Sequence, residues 1–292
     1  MTTPSPTQLL VSAGELEAHL DDPQWVVLDT RHDLVDVDKG RRAYAAGHIA
    51  GAYFAHLDDD LSGERTGQNG RHPLPDIEKF AAKMNACGVA PGVQVVVYDD
   101  MAGSYAVRLW WMLRWLGHSH VALLEGGWPL WEKEGRAITR QVAMPRKGEF
   151  MPRPLLGSTV DLPFVVQCRA EATLKLIDAR SAERFQGLQE PIDPVAGHIP
   201  GAVNRFWQKN LLPDGRFKAP EVLRAEFLAL LEGVAPAQAV HMCGSGVTAC
   251  HNIFAMELAG LPGGRLYPGS WSEWCANAAR PIAAAILLKP TI

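Results

Sequence analysis

Buried strands and amphipathic helices alternate along this chain. Short apolar runs rich in β-branched residues, such as "WVVLDT" and "VQVVVYD", are typical of strands that are buried on both faces. Between such runs, the segment "DIEKFAAKM" carries apolar residues at helical spacing, namely Ile77, Phe80, Ala81 and Met84. The alternation predicts an α/β fold, with a mainly parallel sheet covered by helices on both faces.

Local signals mark where two of the helices begin. Ser12 followed by Glu15 forms a capping-box pattern for the opening helix. Pro220 suits the first turn of a later helix, because its missing N–H group would have no partner there in any case. Both signals agree with the hydrophobic pattern.

The pattern occurs twice. The stretch "VVYDDMAGSYA" aligns without a gap on "AVHMCGSGVTA", so that Asp100 falls on Cys243. A second block, "VVLDTR" followed by "AAGHIAGA", recurs as "KLIDAR" followed by "VAGHIPGA". We therefore predict two copies of one domain, residues 8–143 and 159–292, joined by a structure-poor linker at 144–158.

Composition and charge narrow the function by exclusion. The 292 residues are 47% hydrophobic and 21% charged, which is ordinary for a soluble protein of two domains. A net charge of −4 and an isoelectric point near 6.2 give no electrostatic reason to bind nucleic acid or an anionic membrane. The sequence shows no basic and apolar leader and no apolar run of about eighteen residues, so we expect a cytoplasmic protein.

The cysteines are odd in number and lack C-x-x-C spacing: Cys87, Cys168, Cys243, Cys250 and Cys275. This argues against a disulfide framework and against a structural zinc site, and we expect free thiols in a reducing compartment. All except Cys243 are expected to pack as small hydrophobic side chains. Cys250, about two helical turns after Cys243, is expected inside the helix that follows the loop.

Cys243 differs from the others because it follows the apolar run "AVHM" and opens the small-residue loop "CGSGVTA". Sites in parallel sheets lie at the carboxyl ends of strands. Backbone N–H groups of such a loop, together with the positive end of the following helix, can stabilise a thiolate. The loop residues expected to contact the substrate or its sulfur are Gly244, Gly246, Val247 and Thr248. We predict that Cys243 is a nucleophile.

The loop is a poor match for a cysteine phosphatase. Those enzymes place an arginine six residues after the nucleophile to bind the phosphoryl oxygens, and here that position is Ala249. The loop contains no arginine or lysine at all. Sulfur chemistry fits this loop better than phosphate chemistry.

The tandem repeat, the acidic residue in place of one cysteine, the "GHIPGA" element and the loop "CGSGVTA" resemble the two-domain rhodanese superfamily. The segment "CGSGVT" resembles its 3-mercaptopyruvate sulfurtransferase branch, and the likeness covers nearly the whole chain. The resemblance implies two rhodanese domains and a ping-pong mechanism in which Cys243 takes a sulfur atom as a persulfide. It implies a thiol, cyanide or a thioredoxin-like protein as acceptor, and neither a metal nor an organic cofactor.

The resemblance also implies a Ser-His-Asp relay. Ser245 matches its serine and His72, in "GRHPLP", matches its histidine. Asp58, in "YFAHLDDDLS", matches its aspartate, with the adjoining Asp59 and Asp60 as alternatives. A serine hydroxyl oriented by an imidazole can move a proton as pyruvate enolate leaves.

Two further histidines are expected to have a structural role. His48 and His198 occupy the repeated "GHI" elements. Because both copies carry the histidine and only one copy has the nucleophile, we expect these side chains to orient the backbone.

In the mercaptopyruvate branch, two arginines hold the substrate carboxylate. The fork-shaped guanidinium group suits this role, because it can donate to both carboxylate oxygens. Arg184, in "SAERFQG", matches the first, but Ile192 stands where the second is expected. Arg205, in "GAVNRFW", is a candidate to replace the missing charge, and a solvated surface arginine is an equally compatible interpretation.

Three functions remain open on the sequence. A 3-mercaptopyruvate sulfurtransferase is favoured, because thiosulfate-type rhodaneses have basic residues just after the cysteine, where this chain has Gly244 and Ser245. A thiosulfate sulfurtransferase is the alternative that the Ile192 departure keeps open. A non-catalytic sulfur-carrying module is the alternative from another class, and the presence of Cys243 in a full loop argues against it.

Overall fold

The structure is a computed structural model that describes residues 8–171 and 174–284. Its backbone contacts divide the chain into two units. The first unit consists of the residues up to Glu64, Leu74–Leu156 and Leu211–Lys218. The second unit consists of Arg65–Pro73, Gly157–Asn210 and the residues from Ala219 onward. Each unit thus includes a short segment from the other half of the sequence, and the boundaries at 8–143 and 159–292 stay a prediction.

A parallel sheet forms the centre of the first unit. The strands of this unit are β1 (Leu10–Val11), β2 (Trp25–Asp29), β3 (His48–Ile49), β4 (Tyr53–Phe54), β5 (Gln94–Tyr98), β6 (Val121–Leu124) and β7 (Ile138–Thr139). Five of them pair in parallel in the order β1-β6-β5-β2-β4, and β3 pairs with β7 antiparallel. The helices are α1 (Ala13–Ala18), α2 (Lys39–Ala46), α3 (Ile77–Ala86), α4 (Ala106–Trp115) and α5 (Gly127–Lys133).

The second unit has a similar parallel sheet of four strands. Its strands are β8 (Lys175–Asp178), β9 (Val203–Asn204), β10 (Ala239–Met242) and β11 (Arg265–Leu266), which pair in parallel in the order β11-β10-β8-β9. Its helices are α6 (Leu162–Glu171), α7 (Ala182–Gln186), α8 (Pro220–Leu231), α9 (Ala249–Leu258) and α10 (Ser270–Trp274). The predicted fold, two mainly parallel sheets flanked by helices, is confirmed.

The helix-start signals in the sequence lie at the starts of helices in the structure. The Ser12 side chain accepts a hydrogen bond from the Glu15 N–H group at the start of α1, and Pro220 occupies the first turn of α8. In α3, the side chains of Phe80, Ala81 and Met84 are buried. Among the described residues, the helices are too short or too polar to cross a membrane.

A buried ion pair at the end of β2 explains the repeated "D-x-R" sequence. The Arg31 guanidinium donates to both carboxylate oxygens of Asp29 and to the Gly47 carbonyl oxygen, and it lies 4.2 Å from the Trp128 ring centre. The residues that form the same arrangement at the end of β8 are Asp178, Arg180, Gly197 and Trp271. Each pair fixes the strand end to the "GHI" element of its own copy.

The histidines of the "GHI" elements orient the backbone, as predicted. His48 Nδ1 lies 2.7 Å from the Tyr44 carbonyl oxygen, and its ring stacks on the Tyr44 ring. His198 Nδ1 lies 2.7 Å from the Phe185 carbonyl oxygen, and its ring stacks on the Phe185 ring. Both imidazoles therefore brace the chain just before a parallel strand.

The linker is more ordered than the sequence predicts. It contains no helix and no strand, but Phe150 is buried and backbone bonds fix the segment to the first unit. The N–H groups that donate these bonds include those of Arg146, Glu149, Arg153 and Leu155, to the carbonyl oxygens of Ala86, Val89, Leu116 and Trp115. Residues up to Leu156 consequently belong to the first unit.

His241 lies within β10 and is fully buried. Neither ring nitrogen has a hydrogen-bond partner among the described residues, and burial lowers the pKa of the imidazole from 6.5 to about 3. The unfolded chain binds a proton here below about pH 6.5 and the folded protein does not, so stability falls as the pH falls through that range.

We expect the free energy of unfolding of the His241→Phe variant to depend less on pH than that of the unaltered protein. The difference in slope should approach about 1.4 kcal/mol per pH unit between about pH 6 and pH 4, because one proton is bound on unfolding. Urea unfolding at several pH values measures both slopes. Equal slopes in the two proteins would contradict the assignment of a neutral, buried imidazole.

Candidate active site

The end of β10 leads directly into the loop that holds Cys243, whose side chain is 2% exposed. The Cys243 N–H group donates to Ser270 Oγ at 3.2 Å, and the Cys243 carbonyl oxygen accepts from the Trp271 N–H group at 3.0 Å. The Gly244 carbonyl oxygen accepts from the Ser272 N–H group at 2.9 Å. The backbone at the cysteine is therefore held by the segment that begins α10.

The loop turns sharply after the cysteine. Gly246 has a φ of +77°, and a Cβ atom there would lie 2.5 Å from the Pro268 carbonyl oxygen. Only glycine fits both constraints. The turn directs the Ser245 N–H group toward Cys243 Sγ, at 3.5 Å from N to sulfur.

The remainder of the loop leads into α9. Val247 is buried, and Thr248 is the residue that precedes the helix. Cys250 lies in the first turn of α9, fully buried, with its sulfur 3.5 Å from the Gly246 carbonyl oxygen. The expectation that Cys250 packs inside this helix is confirmed.

Of the remaining cysteines, Cys87 and Cys275 are buried, and Cys168 is only half-buried. All five are free thiols, as predicted. Burial raises the pKa of Cys87 and of Cys275 to about 11. These two side chains therefore stay protonated near neutral pH and are poor nucleophiles.

The segment Arg65–Pro73, which belongs to the second unit, lies on this loop. His72 Nδ1 is 2.7 Å from Ser245 Oγ, and both side chains are buried. The structure thus brings together the serine and the histidine of the predicted relay, at a distance that allows proton transfer between them.

The three candidate aspartates lie in the first unit. Asp59 pairs with Arg41, and Asp60 accepts from the His56 N–H group and pairs with Lys83. Asp58 is 4.0 Å from His32 Nε2, measured from Oδ2. Partners on the first unit thus engage Asp59 and Asp60, and the role of Asp58 in a relay stays a prediction.

One group of possible metal ligands occurs in the described part of the chain. His32, His56 and Asp58 each place a ligand atom within 4.8 Å of the other two. The His56 ring already lies 2.9 Å from the Val37 carbonyl oxygen through Nε2 and 3.3 Å from Asp59 through Nδ1. The expectation of no metal stays a prediction.

Arg184 lies in α7 and is oriented by two carboxylates. Its guanidinium donates to Glu190 through Nε and Nη2, and Nη2 also donates to Asp193 at 3.0 Å. Burial alone would raise the pKa of Glu190, but the hydrogen bonds from Arg184 and from the backbone outweigh it and lower that pKa. Glu190 therefore stays ionised and fixes the arginine.

A second arginine, Arg71, also reaches Asp193 and forms an ion pair with it. Both arginines lie beside the residue after the nucleophile. A Cβ atom on Gly244 would be 2.9 Å from Arg71 Nη2 and 3.6 Å from Arg184 Nη1. Arg71 is not among the residues that the sequence predicts for the site, although "GRHPLP" contains it next to His72.

Arg205 has different surroundings. It is buried, its Nη2 donates to Asn210 at 2.9 Å and to Glu226 at 2.8 Å, and its guanidinium lies 4.1 Å from the Phe227 ring centre. These contacts are those of a structural arginine and argue against the hypothesis that Arg205 replaces the missing carboxylate ligand. The Ile192 side chain is 41% exposed, and its N–H group donates to Glu190.

The equivalent loop of the first unit is filled by a carboxylate of its own. Asp99 is buried, and its two oxygens accept four backbone bonds of 2.8 to 2.9 Å. The donors are the N–H groups of Met101, Gly103, Tyr105 and Ala106. The loop therefore holds a carboxyl group that belongs to the chain itself, although burial raises the pKa of Asp99.

The sequence repeat shows why the two loops differ. Asp99 aligns on Met242, and Asp100 aligns on Cys243. The second copy thus has the Met242 thioether where the first copy has the Asp99 carboxyl group, and it has the Cys243 thiol where the first copy has a second acid, Asp100. Asp100 is partly buried, and burial and the nearby Asp99 raise its pKa.

We expect Asp99→Ala to lower the free energy of unfolding by at least about 3 kcal/mol, because four backbone N–H groups lose their acceptor and each unpaired buried group costs about 1–3 kcal/mol. Asp100→Asn, the neighbouring control, should change stability much less. Chemical denaturation of both variants measures the difference. Similar losses would show that Asp99 does not hold the loop.

Comparison with known proteins gives consistent results. The family model described as "Rhodanese-like domain" matches residues 12–134 and 166–277. A Pseudomonas aeruginosa protein named "Probable 3-mercaptopyruvate sulfurtransferase" is 48% identical over 276 residues, covering 94% of this chain and 97% of that protein. A "Putative thiosulfate sulfurtransferase" of Mycobacterium tuberculosis is 37% identical over 278 residues, covering 94% and 96%. A solved 3-mercaptopyruvate sulfurtransferase from Leishmania major has a TM-score of 0.81 at 29% identity, covering 94% of this chain and 75% of that one.

Proposed function

This chain belongs to the family of rhodanese-like domain proteins, and we propose that it is a sulfurtransferase that takes sulfur from 3-mercaptopyruvate through a persulfide on Cys243. The observation that carries the proposal is the contact of His72 with Ser245 in the loop that opens at Cys243. A loop of this kind serves a sulfur nucleophile, and the buried serine and histidine add a path for a proton.

The first half-reaction loads the enzyme. The Cys243 thiolate attacks the sulfur of 3-mercaptopyruvate, a sulfur–sulfur bond forms, and the carbon–sulfur bond breaks. The electron pair goes to the methylene carbon and gives the enolate of pyruvate. That carbon takes up the proton of the substrate thiol, so the products are pyruvate and the Cys243 persulfide anion.

Ser245 and His72 have a defined task in this step. The proton must move from the substrate sulfur to the carbon that leaves. The Ser245 hydroxyl is hydrogen-bonded to His72 Nδ1 at 2.7 Å, and the Ser245 N–H group faces Cys243 Sγ. The pair can accept the proton and return it without admitting bulk water.

The second half-reaction unloads the sulfur. An acceptor thiol attacks the outer sulfur of the persulfide, Cys243 leaves as a thiolate, and the acceptor carries the persulfide. Cyanide in the same position gives thiocyanate. We propose a thiol or a thioredoxin-like protein as the acceptor in a reducing cytoplasm, which five free cysteines support.

The charges beside the loop favour a monoanionic donor. Arg71 and Arg184 are matched by Glu190 and Asp193, so the formal charges of these four side chains cancel. A single carboxylate adds one negative charge to this group, whereas thiosulfate adds two. Transfer from thiosulfate stays the second candidate, because two arginines lie beside the loop that lacks basic residues of its own.

We expect the protein to gain the mass of one sulfur atom on Cys243 after incubation with 3-mercaptopyruvate. Intact-protein mass spectrometry of the unaltered protein, Cys243→Ser and Cys250→Ser measures this gain. Only Cys243→Ser should fail to gain the sulfur. Gain by Cys243→Ser together with loss by Cys250→Ser would contradict the site, and loading by thiosulfate alone would favour the second candidate.

We expect Ser245→Ala to lower kcat with 3-mercaptopyruvate much more than with thiosulfate, because only the carbon-bound donor needs a proton at its leaving group. Loss of a proton-transfer group typically costs about 10²- to 10⁴-fold in rate. Steady-state kinetics with the two donors give the ratio. Equal losses with both donors would indicate disruption of the loop instead.

A further inference from the structure

Arg71 contacts the candidate active site through its backbone and its side chain. Its N–H group donates to Ser272 Oγ at 3.0 Å, and Nη1 forms the ion pair with Asp193. The residue before it, Gly70, has a φ of +83°, and a Cβ atom there would lie 2.7 Å from the Gly269 carbonyl oxygen. The contacts of its backbone, of its side chain and of the preceding Gly70 therefore fix the position of Arg71.

Two nitrogen atoms of the arginine pair keep unused donors. Among the described residues, Arg71 Nη2 and Arg184 Nη1 donate no hydrogen bond, whereas Arg71 is anchored through Nη1 and Arg184 through Nε and Nη2. Both atoms approach the same point, the place of a Cβ atom on Gly244, at 2.9 and 3.6 Å. Gly244 directly follows the nucleophile, so these donors converge on the space beside Cys243.

We propose, on the basis of the sulfurtransferase function above, that Arg71 and Arg184 together bind the substrate carboxylate and that Arg71 takes the place of the arginine that Ile192 replaces. In 3-mercaptopyruvate, only two carbon atoms, the methylene and the ketone carbon, lie between the thiol sulfur and the carboxylate carbon. A carboxylate site must therefore lie close to the nucleophile. Two guanidinium groups beside Gly244 meet this requirement and offer charge-assisted bonds to both oxygens.

Asp193 is the positioning residue of this site. It accepts from Arg71 on one oxygen and from Arg184 on the other, and it is buried. Two like charges at close range repel each other, and a carboxylate between them offsets this repulsion. Asp193 thus holds the two cations side by side and leaves their outer donors for the substrate.

The test compares two donors that differ only at the carboxylate. The second donor is 1-mercaptopropan-2-one, in which a methyl group replaces the carboxylate of 3-mercaptopyruvate. We expect Arg71→Ala to raise KM for 3-mercaptopyruvate roughly 10- to 100-fold, the value of one charge-assisted hydrogen bond. KM for the mercaptoketone should stay within about threefold, and Arg71→Lys should recover only part of the loss, because a point charge cannot bind in a bidentate manner.

A matched control comes from the repeat. "DGRFKAP" in the second copy aligns on "NGRHPLP" in the first, so Arg216 is the counterpart of Arg71. Arg216 belongs to the first unit and pairs with Asp214. Arg216→Ala should leave KM for both donors unchanged.

Asp193→Asn tests the positioning role separately. It should raise KM for 3-mercaptopyruvate with little change in kcat. The double variant Arg71→Ala, Asp193→Asn should raise KM by less than the product of the two single effects, because Asp193 acts in part through Arg71 and in part through Arg184. Full multiplication of the two effects would show that Asp193 acts independently of Arg71 and would overturn its assigned role.

Different results would overturn the role of Arg71 and the sulfurtransferase function on which that role rests. An unaltered protein that uses no 3-mercaptopyruvate overturns both. An unaltered protein that uses it, with Arg71→Ala leaving its KM unchanged, overturns only the role of Arg71. Equal losses with 3-mercaptopyruvate and the mercaptoketone also overturn it, because Arg71 would then act through the neighbouring His72 and not on the carboxylate.

Discussion

The contact between the segment Gly70–His72 and the loop after β10 is the interaction on which the candidate site depends. Gly70 packs on Gly269, Arg71 binds Ser272 and Asp193, and His72 binds Ser245. The close approach of Gly70 to the Gly269 carbonyl oxygen leaves no room for a side chain, so this contact requires glycine. One segment therefore brings both a histidine and a cation to the loop.

The duplication shows which features belong to the fold and which to the chemistry. Both copies keep the buried Asp–Arg pair, the tryptophan under the arginine and the histidine that braces the strand. The loops differ in what occupies them. Asp99 satisfies four N–H groups of the first loop, and Met242 at the aligned position brings no such carboxylate to the second. The N–H groups of the second loop can then face the Cys243 thiol and the sulfur atom that reacts with it.

Much of the fold and the tight loop at Cys243 could be predicted from the sequence, because the signals for them are local. The hydrophobic pattern and the repeat predict the sheets, and the glycines around Cys243 predict a tight loop at a strand end. Arg71, Asp193 and the filling of the first loop by Asp99 could not be predicted in this way. The first two meet across 122 positions of the chain, and their pairing depends on how a loop docks. The contacts that argue against Arg205 as a carboxylate ligand could not be predicted either, because the sequence does not reveal that its side chain is buried against Phe227.

A crystal structure of the Cys243→Ser protein with bound 3-mercaptopyruvate tests the account most directly. The variant cannot form the persulfide, so the donor should remain intact beside the loop. The account predicts carboxylate oxygens at about 3 Å from Arg71 Nη2 and Arg184 Nη1, with the substrate sulfur directed at residue 243 and Asp193 still joined to both arginines. A carboxylate bound away from Arg71, or a sulfur that points away from residue 243, would contradict it.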